Sequence, residues 1–429
     1  MRIPSVTELE EIIRAEIRDA GPTTFAQFME LALYHPTLGY YAGGGTGREP
    51  VGWAGDFFTS GDVSPLWGWG IAHQLHQMWE LMGRPARFDV VEPGAGRGLL
   101  AASVWRYAVA LDADWATALR YTLLDRAPAE SPLRAARERR LADEMARIPA
   151  PAEGVRWLDD FARLMEEQPT GITGCIVSNE LVDALPVHVL EKRKGELAEV
   201  YVGLAEVYVG LAEEGARLVE TLSAPSSERV AEYLDRYAIS WRNYPDGWRA
   251  EVCPVAEDWM ATAARALGRG FILTIDYGDR ARRLYTADRR RGTLIAYTNH
   301  RLSERPLAQP GAQDLTAHVN FTALARVGRE RGLTVAGLTT QAAFLSALGV
   351  REQAEALAAR LFPHAETERH SDRGQAEYLR RATLFNALAT LLNPHGLGGF
   401  RILIQRKRVS VSGSALLGLR RVTGTNGAS

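Results

Sequence analysis

Residues 87–100 read RFDVVEPGAGRGLL, and this stretch constrains the fold more tightly than any other. Phe88, Val90 and Val91 make the short apolar run of a buried parallel strand. Glu92 follows, and then glycines at alternate positions, Gly94, Gly96 and Gly98. From Leu99 the apolar residues recur at helical spacing through Leu100, Val104, Tyr107, Ala108 and Leu111. A strand, a glycine turn and a helix start together form a cofactor cradle. Glycines let backbone approach a ligand closely, and a helix N-terminus presents unpaired N–H groups.

The spacing narrows the cofactor. A nicotinamide-type G-x-G-x-x-G fingerprint needs its third glycine where this chain has Leu99. The pattern E-x-G-x-G-x-G instead resembles the first motif of class I methyltransferases, which bind S-adenosylmethionine. By itself the motif also fits a glycine-rich turn with no ligand, so the remaining chain has to decide.

Further strands are predicted at Tyr121–Asp125, Val155–Leu158, Ile172–Ser178 and Phe271–Ile275, with helices between them and a late strand at Phe400–Gln405. Alternating strands and helices imply an α/β, Rossmann-like doubly wound parallel sheet that binds ligands at the carboxyl ends of its strands. Glu92, Asp125, Asp159 and the pair Asn179-Glu180 each follow a predicted strand directly. An acid at the end of the second strand is placed to accept hydrogen bonds from ribose hydroxyls.

At 429 residues the chain is longer than a usual single domain. Residues 1–86 read as an N-terminal helical segment with a glycine-rich lid loop, and 87–407 as the main domain. Insertions interrupt that domain at about 187–265, after the fourth strand, and 279–320, after the fifth. A helical region is expected at about 341–392, and a flexible tail at 408–429. A hairpin turning at Lys194-Gly195 is expected to open the first insertion, which then repeats LAEVYVG at 197–203 and 204–210. Seven is odd, so a second copy in a continuous strand would exchange its two faces. A turn, a bulge or a new strand is therefore expected there.

Composition limits the function. Hydrophobic content of 46% and charge of 24% suit a soluble enzyme, and a net charge of −2 argues against a nucleic-acid binder. Arg280, Arg282, Arg283, Arg289, Arg290 and Arg291 make a locally basic loop without interleaved aromatic platforms. No run is long and apolar enough to span a bilayer, and the acidic N-terminal segment is unlike a signal or transit peptide. With Cys175 and Cys253 alone, neither a disulfide framework nor a cysteine-rich metal site is expected. These features predict a cytoplasmic protein without a metal.

Several segments in order resemble one family: GDFFTS at Asp56, VEPGAGRG at Glu92, SNELVDALPV at Asn179, IDYG at Asp276, GTLIAYTNH at Gly292, PGAQDLTAHVNF at Pro310 and TTQAAFLSALG at Thr339. Together they are similar to the MidA-type S-adenosylmethionine-dependent methyltransferases, whose mitochondrial members assist assembly of respiratory complex I and dimethylate an arginine symmetrically. The similarity runs from about Thr7 to Arg406 and looks like the bacterial branch. It departs at Gly61-Asp62, where the family has Pro-Glu, and at Trp67-Gly68, where phenylalanine-glycine is common.

The resemblance implies S-adenosyl-L-methionine as cofactor. Glu92, Gly94, Gly96, Gly98 and Asp125 are expected to hold it, Asp159 to reach its adenine, and Asp56, Thr59 and Ser60 to close over it. If an arginine of a protein is the acceptor, carboxylates must hold the guanidinium and accept a proton. Glu180 and Asp183 are the candidates, sharing a face if a helical turn begins there, with Asn179 beside them. His300 and Asp314 are alternatives facing the substrate or packed in the core. A small-molecule O- or N-methyltransferase and a cofactor-binding assembly factor with little turnover are the competing readings. The acceptor and the oligomeric state, a homodimer included, are left open.

Overall fold

A computed structural model describes residues 7–44, 48–52, 55–127, 131–149, 154–209, 212–298 and 301–420, without the side chains of 206–216. The apolar run after Arg87 forms β1 (Phe88–Pro93), which is buried throughout. The other strands of its sheet are β2 (Leu119–Leu124), β3 (Val155–Leu158), β4 (Ile172–Asn179), β5 (Leu267–Asp276), β6 (Thr334–Thr340) and β7 (Arg401–Lys407). Their order is β6-β7-β5-β4-β1-β2-β3. β5, β4, β1, β2 and β3 are parallel. β7 runs antiparallel to β5, and β6 antiparallel to β7.

The sheet is thus mainly rather than wholly parallel, and the edge strand β6 escaped the sequence pattern. Its residues TVAGLTT are small, contain Gly337 and are never fully buried, so no alternation marks them. The chain leaves β1 for β2 on one side, while β4 lies on the other. That reversal opens a crevice at the carboxyl ends of the strands.

Helices cover both faces. α3 (Pro65–Leu81) and α4 (Leu99–Leu111) pack with β1 and β2 through Leu75, Val104, Trp105 and Tyr121. On the opposite face, helix Pro254–Ala266 packs through Met260 and Ala263 against Ile176 and Ile272.

The first insertion builds a second, antiparallel sheet. Its strands His188–Arg193 and Glu196–Val209 join through a two-residue turn, Lys194 at φ 50° and Gly195 at φ 85°. Positive φ at both positions suits the twist of a tight hairpin. The second strand continues from the first LAEVYVG copy into 204–209 without the expected turn or new strand, and the register shift opposite Glu206 and Tyr208 puts its extra residue on the partner strand Ala212–Ser223. Among the described residues, only the first copy pairs with strand His188–Arg193 and with Thr23-Thr24.

The N-terminal segment completes this second unit. α1 (Glu8–Ala20) is capped by Thr7, and α2 (Phe25–Tyr34) by a Thr24–Gln27 capping box. Their Leu9, Ile13, Phe25 and Phe28 share a core with Val200 and Val202 of the inserted strand. The expected tail also differs in part. Leu416 is fully buried, and the N–H groups of Leu417 and Gly418 donate to Gln77 and Gln74 of α3, so the chain is docked through this region.

Candidate active site

A cavity of ≈ 570 Å³ lies over the carboxyl ends of β1 to β4, between that rim, α2 and the segment around Thr59. Glu92, Gly94, Gly96, Asp125, Asp159 and Thr59 line it, as do Asn179 and Glu180. Of the other expected site residues, Gly98, Asp56, Ser60 and Asp183 stand behind the wall.

The three glycines do different work, although all have positive φ: 70° at Gly94, 53° at Gly96 and 70° at Gly98. A Cβ at Gly98 would lie 2.8 Å from Leu141, and one at Gly94 would lie 2.6 Å from Leu181. At Gly96 the nearest atom would be 4.0 Å away. A side chain at Gly94 or Gly98 would have to push a leucine methyl aside, whereas Gly96 leaves its space to the cavity. Gly98 caps α4, so the helix start faces the same opening.

Acids mark the rim at intervals. Glu92 is buried and accepts the Tyr121 hydroxyl at 2.7 Å; burial pushes its carboxyl up to about 8. Asp125 accepts from Arg137 at 3.0 Å and from the Ala127 N–H at 3.0 Å. Arg137, itself buried, also donates to both oxygens of Glu49 at 2.9 and 3.0 Å. Asp159 is exposed at the rim, while its neighbour Asp160 caps the next helix through the Arg163 N–H. An open backbone turn flanked by Glu92, Asp125 and Asp159 fits a cofactor with a cationic end, a ribose and an adenine. Among the described residues no group of three potential ligands could hold a metal ion.

The segment before α3 closes this half of the cavity. Asp62 accepts the Thr59 N–H at 3.0 Å and pairs with Arg97 of the glycine turn at 2.5 Å. The aspartate of the unusual Gly61-Asp62 pair therefore ties the loop to the cradle. Asp56 accepts the Tyr40 hydroxyl at 3.1 Å and an Arg48 N–H at 3.5 Å. Ser60 donates its hydroxyl to Gln341 at 3.1 Å.

The end of β4 supplies the other half. Glu180 has φ 51°, a left-handed backbone rarely adopted by a glutamate, held by its N–H on Ile275 O at 3.0 Å. Its Oε1 accepts from the Ser60 N–H at 3.3 Å and from Asn179 Nδ2 at 3.1 Å. Burial, reinforced by nearby Asp183, pushes Glu180 up to about 8. Burial also pushes Asp183 up to about 6, against the Tyr277 hydroxyl, which favours its charged form.

The two acids come together without the helical turn expected there. Asp276 accepts the N–H groups of Val182 and Asp183 at 2.9 and 3.3 Å, pinning an irregular turn, and Pro186 blocks a helix beyond it. Asp183 Oδ1 and Asn179 Oδ1 are buried without a hydrogen-bond partner. Asp314 is buried nearby, accepts the Tyr41 hydroxyl at 3.0 Å, and is pushed up to about 8 by burial and by Asp183. His300 lies outside the described residues. Sequence reading overlooked Tyr34, Tyr41, Tyr121, Arg97 and Arg137. Aromatic and basic residues scattered over separate elements leave no local signal, although the IDYG segment had marked Asp276 and Tyr277.

Comparison with known proteins identifies the family and the fold. A family model for S-adenosyl-L-methionine-dependent methyltransferases matches residues 70–339, more than half of the chain. The Drosophila melanogaster protein arginine methyltransferase NDUFAF7 homolog, mitochondrial, is 29% identical over 380 residues, covering 84% of this chain and 78% of that protein. The human protein arginine methyltransferase NDUFAF7, mitochondrial, is 26% identical over 358 residues, covering 80% and 74%. A crystal structure of a Burkholderia thailandensis protein bound to S-adenosyl-homocysteine superposes with a TM-score of 0.79 at 27% identity, covering 96% of this chain and 94% of that one. The cradle around Gly96, the mainly parallel sheet and these matches lead to one conclusion: the chain belongs to this family of S-adenosyl-L-methionine-dependent methyltransferases.

Proposed function

We propose that this methyltransferase acts on an arginine side chain of a protein, a subunit of a respiratory complex I-like assembly. The observation that carries the reading is Glu180, a strained, poorly solvated carboxyl group facing the cavity beside Asn179, with Asp183 behind it. The names of the relatives support the acceptor. Two free cysteines fit a reducing, cytoplasmic compartment.

S-adenosylmethionine supplies an electrophilic methyl group on sulfur. Glu92 would meet its cationic end, Asp125 its ribose and Asp159 its adenine, with Gly94 and Gly96 on the cavity wall bringing backbone close and Gly98 starting the helix behind them. Thr59 faces the cavity, while Asp56 and Ser60 keep its loop in place. A guanidinium is always protonated and a poor nucleophile. Glu180 holds its planar fork and draws charge away from the attacking nitrogen, with Asp183 adding negative charge from behind the wall. Transfer to a cationic guanidinium releases one proton; the guanidinium's own charge favours the ionised form of Glu180, which then accepts it. Asn179 fixes the Glu180 carboxylate through its amide.

The test is transfer of labelled methyl from the cofactor into whole-cell extract, with wild type compared to Gly96→Val and products located by mass spectrometry. Label on arginine of a protein is the expected result. Label confined to metabolites would establish the small-molecule alternative, and binding without transfer the assembly-factor alternative.

A further inference from the structure

Arg126 follows Asp125 directly and lines the mouth of the cavity, with its guanidinium carbon 4.6 Å from the centre of the Tyr34 ring. Its Nη2 donates to Glu30 Oε1 at 2.6 Å. A planar cation on an aromatic face with a carboxylate at its edge is a guanidinium-binding arrangement. Tyr34 and Glu30 belong to α2, whereas Arg126 belongs to the β2 rim, so this contact spans the opening.

The contact is built to exchange. The Arg126 and Glu30 side chains are 60% and 42% exposed, and an exposed ion pair with a cation–π contact is worth about a factor of ten in a binding constant. The other arginines on the wall are committed: Arg97 to Asp62, and Arg137 to Glu49 and Asp125, with side chains 14% and 4% exposed. Tyr34 also leads inward. Its hydroxyl donates to Ala184 O at 3.0 Å, and its ring stacks on Tyr41 at 5.5 Å. Tyr41 in turn holds Asp314, and Ala184 adjoins Asp183. Tyr34, Arg126 and Glu180 line one cavity, so a guanidinium on Tyr34 stands in the opening that leads to Glu180.

We propose that the Tyr34 face and the Glu30 carboxylate form the entry subsite for the acceptor guanidinium, and that Arg126 occupies it until the acceptor displaces it. This rests on the arginine-acceptor reading and adds how the arginine is selected and admitted. The planar face selects a guanidinium over an ammonium group.

The experiment titrates Nα-acetyl-arginine amide, and separately Nα-acetyl-lysine amide, into the full chain saturated with S-adenosyl-homocysteine, and follows methyl transfer to arginine peptides in parallel. R126Q is expected to tighten binding of the arginine probe about tenfold with little change for the lysine probe. The gain disappears in R126Q/E30Q, and Y34L removes arginine binding; melting curves check that each variant is folded. An unchanged or weaker affinity in R126Q overturns the subsite. So does an equal gain for lysine, or a gain that persists in R126Q/E30Q, because either reports only the removal of a positive charge. Transfer to arginine with no effect of R126Q on binding removes the subsite and leaves the function. Guanidinium binding that depends on R126Q without transfer to any arginine removes the function and leaves the subsite.

Discussion

The Ser60 N–H donates to Glu180 Oε1 at 3.3 Å, across 120 positions of sequence. Through this bond the loop that covers the cradle also orients the carboxylate on the acceptor side. Asp62 ties the same loop to Arg97 of the glycine turn, so both halves of the cavity share one strap.

Replacing Glu180 separates the two halves. Glu180→Gln keeps the size and one acceptor oxygen but cannot ionise, so the proton acceptor is lost. Methyl transfer should fall by about 100-fold or more, while affinity for S-adenosyl-homocysteine is unchanged. Turnover and calorimetry on the same preparation check it; normal turnover would remove Glu180 from the reaction.

The glycines should fail in different ways. Each alanine carries a left-handed backbone cost of about 1–2 kcal/mol. Gly98→Ala adds overpacking against Leu141, a further ~1–3 kcal/mol, and should lower the denaturation midpoint clearly. Gly96→Ala meets no neighbour, so its main effect should be weaker cofactor binding from a methyl group projecting into the cavity. Urea titrations and calorimetry distinguish the two.

Stability should fall as pH rises. Glu92, Glu180 and Asp314 are raised to about 8 and Asp183 to about 6, all above ordinary carboxyl values. Between about pH 4.5 and 8 the folded chain therefore holds more protons than the unfolded chain. That contribution is complete at the acidic end and is lost as pH passes through the folded values. Urea midpoints should drop from pH 6 to pH 9, and Glu180→Gln should flatten the slope. A slope that rises with pH would contradict the burial of these groups.

Arg137 should couple the loop to the cofactor. Arg137→Met leaves the Asp125 and Glu49 carboxylates, 12% and 19% exposed, without their shared cation. The expected loss is about 2 kcal/mol, below that of a fully buried pair because both acids retain some solvent. Affinity for S-adenosyl-homocysteine should weaken with it, since Asp125 is no longer held on the rim. Calorimetry and chemical denaturation read the two effects.

Much of the cofactor side was legible from residue order alone. Phe88, Val90 and Val91 predict a buried strand, the alternate glycines a close turn, and Leu99 onward a helix. These are local properties, set by side-chain size, β-branching and the freedom of glycine at positive φ. Asp125 and Asp159 were visible for the same reason, because each follows a short apolar strand. Tertiary structure decided what contact order hides. It joined α1 and α2 to the inserted sheet through Phe25, Phe28 and Val202, drew Asp276 under the turn that carries Glu180 and Asp183, and set Arg126 on Tyr34 across the mouth. It also assigned the glycines their separate duties, since only packed neighbours reveal that Gly98 meets Leu141 while Gly96 meets the cavity. The sequence by itself determined that a strand, a glycine turn and a helix would meet at the rim of the sheet, where the methyl donor is proposed to bind. The acceptor side is assembled from segments far apart in the chain, and the burial that raises its carboxylates exists only once those segments have packed.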